Sequence, residues 1–100
     1  TVKETPQFYA ALKRMHDAAG VPLWADVEVF DFEGKVYGSP LIPAPMERVA
    51  RQLASVRPYV ERTLCYQYPG LMNPRDSRAF AGHPSTVRLY EDYRAWLPGA

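Results

Sequence analysis

From Leu23 to Phe30 the chain reads Leu-Trp-Ala-Asp-Val-Glu-Val-Phe, and alternate residues fall on two very different faces. Side chains on a strand alternate sides, so Leu23, Ala25, Val27 and Val29 make one wholly apolar face. Trp24, Asp26, Glu28 and Phe30 make the other, with two aromatics bracketing two carboxylates. A merely solvated face would carry Lys, Thr or Ser. Acids between aromatics suggest the floor of a pocket instead. The stretch therefore demands a strand buried on one side and chemically distinctive on the other.

The flanking sequence predicts helices. Thr5-Pro6 reads as a helix start, with Thr5 as N-cap and Pro6 in the first turn. Phe8, Leu12, Met15 and Ala19 follow at helical spacing as a stripe for burial. Gly20 supplies the left-handed stop, and Val21-Pro22 turns the chain into the strand. His16 on this helix reads as a lone surface histidine. After Phe30, Gly34, Gly38, Pro40 and Pro43 punctuate a long loop over residues 31–44, with Lys35-Val36-Tyr37 as a short hairpin arm. Loops of this length are uncommon unless functional, and this one follows the carboxyl end of a strand, where α/β folds place their sites.

Pro45 opens a second helix, with Glu47 beside its positive end and Met46, Val49, Ala50, Leu53 and Val56 as its buried stripe. Pro58 stops it. A second strand is expected over about residues 60–68, with Leu64, Tyr66 and Tyr68 on one face and Thr63, Cys65 and Gln67 on the other. A second long loop, 69–82, holds Asn73-Pro74-Arg75-Asp76; Arg75, Asp76 and Arg78 read as a solvated charge cluster. Pro84 and Ser85 open a last helix whose apolar side is Leu89, Tyr90, Tyr93, Trp96 and Leu97. The order α-β-α-β-α places the chain in the α/β class, and strands separated by helices imply parallel pairing with right-handed crossovers. Two parallel strands alone leave open edges, so the pattern predicts part of a larger α/β structure or a chain that pairs with itself. The start at Thr1 and the stop at Leu97-Pro98-Gly99-Ala100 point the same way.

Composition narrows the function. In a chain of 100 residues, a net charge of +1 without a run of like charges speaks against a nucleic-acid surface. No apolar stretch approaches the roughly 20 residues of a membrane span. The single cysteine, Cys65, excludes an internal disulfide and has no histidine near it in sequence to make a nucleophile. His16 and His83 lack a metal-ligand spacing, and no glycine-rich phosphate loop is present, so neither a metal nor a cofactor is expected.

The strand is left as the chemical candidate. Asp26 and Glu28 are two residues apart on one face, so their Cα atoms are expected roughly 6.5–7 Å apart. Paired carboxylates in one pocket tend to separate their titrations, one route to an acid and a base. Trp24 and Phe30 offer flat apolar surface for the C–H face of a sugar, with Glu28 and Asp26 bonding its hydroxyls. Gln67 and Tyr68, at the end of the second strand, bring an amide and a hydroxyl to the same region. For Asp26 a structural role, holding a loop or pairing with an arginine, is the first reading; for Tyr68 a place in the core, with Gln67 as a strand cap, stands beside the functional one.

Leu23-Trp24-Ala25-Asp26-Val27-Glu28-Val29-Phe30, then Pro43-Ala44-Pro45-Met46-Glu47-Arg48-Val49 with Gln52-Leu53, then Tyr66-Gln67-Tyr68-Pro69 and Met72-Asn73-Pro74, resemble a bacterial family of unknown function similar to glycoside hydrolases. The resemblance runs from about Phe8 to Leu97. It implies that residues 1–100 are the last units of a (β/α)8 TIM barrel, helix six to helix eight, and not a complete domain. It also implies that Glu28 sits where barrel glycosidases carry the nucleophile, at the end of strand seven. The partner carboxylate belongs to strand four, roughly 5–5.5 Å away in a retaining enzyme or 6.5–9.5 Å in an inverting one. On this reading the substrate is a carbohydrate, these 100 residues are inactive alone, and a periplasmic or secreted location is favoured. Two alternatives stay open: a non-catalytic carbohydrate-binding or scaffold barrel, and a self-associating α/β module.

Overall fold

The computed structural model describes residues 3–79 and 82–98. The expectations that rest on Thr1, on Gly99-Ala100 and on positions 80–81 of the second loop lie outside the described residues. The elements are α1 (Thr5–Ala19), β1 (Trp24–Glu28), β2 (Phe30–Phe32), β3 (Leu41–Pro43), α2 (Met46–Val56), β4 (Arg62–Tyr66) and α3 (Thr86–Trp96). This is the expected mixed α/β alternation with one addition. The loop after β1 is not open chain: its ends pair as an antiparallel hairpin, Phe30 with Pro43, Asp31 with Ile42 and Phe32 with Leu41. Lys35-Val36-Tyr37 forms the tip, not the arms. There Lys35 adopts φ +54° and Ser39 ties the turn, its Oγ donating to Val36 O at 2.8 Å and accepting from Gly34 N at 3.2 Å.

β1 and β4 form a two-stranded sheet. Glu61 N donates to Leu23 O at 3.0 Å and Val29 N to Tyr66 O at 2.9 Å, so residue number rises the same way along both strands. That is the parallel arrangement expected for strands joined through a helix. β4 is shorter than the sequence suggested. It stops at Tyr66, so Gln67 and Tyr68 begin the loop beyond it.

The chain divides into two compact units, Thr1–Val27 with Glu47–Cys65, and Glu28–Met46 with Tyr66–Ala100. In the first, the buried set is Leu23, Ala25 and Val27 from the β1 segment and Val49, Leu53 and Val56 from α2, as their spacings predict. α1 departs from expectation. Its N-cap is Glu4, one residue before Thr5, because Thr5 already has helical geometry with Pro6 behind it. Its stripe is not covered either: no α1 residue is buried, and Phe8 and Met15 are 60% and 67% exposed. Periodicity identifies an apolar face; it does not supply a surface to cover it.

Gly20 ends α1 in the left-handed region, φ +67°, while its N–H bonds to Asp17 O and the Val21 N–H to His16 O. A Cβ built there meets nothing within 4 Å, so substitution costs conformation alone. Gly20→Ala should lower the unfolding free energy by about 1–2 kcal/mol. Chemical denaturation checks this, and an unchanged midpoint would refute it.

The core of the second unit is Val29, Ala44, Leu71, Met72 and Leu89, together with two buried polar residues, Asn73 and Thr86. Asn73 organises the second loop. Its Oδ1 accepts from Gly70 N at 2.7 Å and from Thr86 Oγ1 at 3.2 Å. Its own N–H donates to Thr86 Oγ1 at 2.9 Å, and its Nδ2 to Ser77 Oγ at 3.3 Å. Each polar atom taken from water has a partner, as burial requires. The loop's charges Arg75, Asp76 and Arg78 are exposed as expected, and Arg75 pairs at the surface with Glu91 of α3 at 2.9 Å.

Candidate functional site

β1 presents its faces as the alternation predicts, with Ala25 and Val27 buried and Trp24, Asp26 and Glu28 exposed. Glu28 closes the strand at its carboxyl end. Phe30 opens the hairpin two residues later, half-buried on the same side of the alternation.

Within the second unit, the bond from Val29 N to Tyr66 O joins the carboxyl ends of the two sheet strands. Glu28 immediately precedes the donor, and Gln67 and Tyr68 immediately follow the acceptor. Phe30 meets the Tyr66 ring edge-on at 6.3 Å and the Phe32 ring at 6.0 Å, and Phe32 meets Tyr37 at 5.3 Å. Of the two expected aromatics, Trp24 and Phe30, Phe30 is thus joined by Phe32, Tyr37 and Tyr66, and Phe32 simply continues the alternation past Phe30. The Tyr66–Gln67 peptide bond is cis.

Gln67 donates from Nε2 to Pro69 O at 3.0 Å, which leaves Oε1 as its accepting end. Tyr68 is 49% exposed and packs edge-on against Tyr90 at 6.2 Å. Desolvation, then the neighbouring Tyr90 and the hydrogen bond it provides, push the Tyr68 hydroxyl above its usual value of 10.0. Tyr68 therefore stays protonated, a donor as well as an acceptor, through the neutral range. Tyr90→Phe should bring its titration back down, and ultraviolet absorbance of the phenolate checks this. A titration curve unmoved by the change would contradict the contact.

Trp24 and Asp26 belong to the first unit. The Arg62 guanidinium lies over the Trp24 ring, 5.7 Å from its centroid, so one face of the expected stacking surface is already covered. The pairing of Trp24 with Arg62 depends on strand register, which local sequence does not display. Asp26 bears on Tyr9 of α1, whose hydroxyl is pushed up by burial and then by the nearby carboxylate.

A cavity of about 640 Å³ opens in the second unit between the hairpin and the loop after β4. Glu33, Pro40, Leu41 and Ile42 line it on one side, and Gln67, Pro69, Gly70, Leu71, Gly82 and His83 on the other. Of the expected site residues only Gln67 lines it. Glu33 and His83 were missed because each is isolated in sequence. Cys65 is a half-buried free thiol. His16 sits 3.2 Å from Pro22 O through Nδ1. Among the described residues no group of three or more His, Cys, Asp or Glu is placed to hold a metal ion, and no helix is long and apolar enough to cross a membrane.

Glu28 is thus an exposed carboxylate at the carboxyl end of β1. Residues 1–78 match the family described as "Domain of unknown function (DUF4434)", and the chain belongs to that family. A comparison with curated proteins finds no match. Among solved structures the chain is similar to a Bacteroides thetaiotaomicron protein described as a "putative alpha-L-fucosidase", with a TM-score of 0.76 and 18% identity. The match covers 96% of this chain and 28% of that protein, so the chain spans little more than a quarter of its length.

Proposed function

We propose that this chain is the C-terminal portion of a (β/α)8 barrel, helix six to helix eight, in a protein that hydrolyses a glycosidic bond. The observation that carries the reading is Glu28, exposed at the carboxyl end of β1, in a chain whose fold matches part of a protein described as acting on a carbohydrate. Barrel enzymes build their sites at that edge of the strands. Glu28 would attack the anomeric carbon or activate water, with a second carboxylate from an earlier strand as its partner. Gln67 and Tyr68 orient Glu28 or bond the sugar. Phe30 offers apolar surface to the ring. The first test is hydrolysis of a panel of 4-nitrophenyl glycosides by the intact protein, wild type against Glu28→Gln. Equal turnover by the two would sink the assignment.

A further inference from the structure

The cavity of the second unit is a site of its own kind. Its volume, about 640 Å³, falls in the range of small-molecule pockets, roughly 300–1,000 Å³. Its walls are mainly apolar, with Pro40, Leu41, Ile42, Pro69 and Leu71 among the lining residues. Leu41 remains 41% exposed, a large hydrophobic side chain held at the surface. The polar side chains in the lining are Glu33, Gln67 and His83.

Each of the three presents a defined function. The Ser85 N–H donates to His83 Nδ1 at 3.1 Å, and Ser85 Oγ lies 2.7 Å from the same nitrogen. With Nδ1 accepting, the neutral ring carries its proton on Nε2, which remains free to donate. Gln67, held by Pro69 O, offers Oε1 as an acceptor. Glu33 offers a carboxylate at the mouth, on an exposed residue of the hairpin. A sugar ring carries hydroxyls on every side and would leave most of them facing apolar wall, at the cost of unpaired polar groups. An aromatic or alkyl body with one oxygen matches the lining.

We infer that this cavity binds the apolar aglycone of a glycoside, with Leu41, Ile42 and Leu71 against its body and His83 donating to its oxygen. The inference rests on the hydrolase reading above. It narrows the substrate class to glycosides whose leaving group is an aromatic or alkyl alcohol. Location agrees with it, because the cavity is built from the hairpin that follows β1, which ends at Glu28, and from the loop that follows β4, which begins at Gln67.

The experiment is a titration of the intact protein with 4-nitrophenol, followed by NMR, with glucose as a second probe. Nitrophenol should perturb Leu41, Leu71 and His83 saturably, and glucose should not. Leu41→Asp should weaken nitrophenol binding at least tenfold with the fold retained by circular dichroism. If that variant unfolds, Leu41→Ser should weaken binding about threefold. The inference is overturned by absence of saturable perturbation at these residues, by equal binding in the Leu41 variants, or by glucose acting at the same residues as strongly. Failure of the hydrolase reading looks different. A protein that binds nitrophenol but hydrolyses none of the 4-nitrophenyl glycosides loses the aglycone role. One that hydrolyses them through Glu28 without binding nitrophenol in the cavity loses the cavity alone.

Discussion

Replacing Glu28 with Gln in the intact protein should reduce kcat for glycoside hydrolysis by about a thousandfold or more, while the unfolding midpoint stays within experimental error. The first half follows from chemistry. A neutral amide neither attacks an anomeric carbon nor takes a proton from water, and a thousandfold loss corresponds to about 4 kcal/mol of transition-state stabilisation. The second half follows from placement. Glu28 is exposed at the end of β1, and Gln has nearly its shape, so no packing is disturbed. Exposed substitutions of this kind change stability by about 0.5 kcal/mol or less. KM should change far less than kcat, because the group acts on the reacting bond. A kcat within tenfold of wild type would remove Glu28 from the mechanism. A large fall in stability would instead mark it as structural.

The second large effect concerns folding. Asn73→Leu should destabilise the protein by about 2–4 kcal/mol, read as a lowered denaturant midpoint with unchanged slope. Leucine keeps the branched skeleton of asparagine but is bulkier, so no cavity forms and the loss combines broken hydrogen bonds with overpacking at a buried position. Gly70 N, Thr86 Oγ1 and Ser77 Oγ each lose a partner. Thr86 is only 1% exposed, so its hydroxyl has no water to turn to. Thr86→Val should cost less, about 1–2 kcal/mol, since Asn73 keeps its contacts with Gly70 and Ser77. If both variants matched wild type, the cluster would be incidental to stability. Because Gly70 and Leu71 line the cavity, Asn73→Leu should also weaken nitrophenol binding, linking loop order to ligand.

These residues show what local sequence can and cannot convey. The alternation from Leu23 to Val29 announced both strand and burial, because a period of two is readable without knowing any partner. Gly20 was legible for a similar reason: the left-handed stop is a property of one residue. The hairpin was half legible. Phe30 and Phe32 continue the alternation, but the glycines and prolines around them read as open loop, and the pairing of Phe32 with Leu41 spans a turn whose register is not written locally. Asn73 lies in a long loop that carries no burial signal of its own, and only the distant Thr86 makes its amide interior. The same limit applies to the site. Glu28, Gln67 and Tyr68 could be found as strand-end residues. Arg62 over Trp24 and the sharing of one cavity by Glu33 and His83 arise from elements far apart in sequence.

The hairpin also bears on how such a protein can change over time. Phe32 and Leu41 hold the two ends of the turn together through strand pairing, so the segment between them is closed whatever its length. Closing a loop twice as long costs only about 0.6 kcal/mol more. Insertions between Glu33 and Pro40 would therefore be inexpensive to the fold, and they would reshape one wall of the cavity. β1, which carries Glu28, would be left as it is. The molecule thus separates a variable surface from the fixed strand that carries Glu28, and new ligand preferences would be reached by lengthening a turn instead of rebuilding a strand.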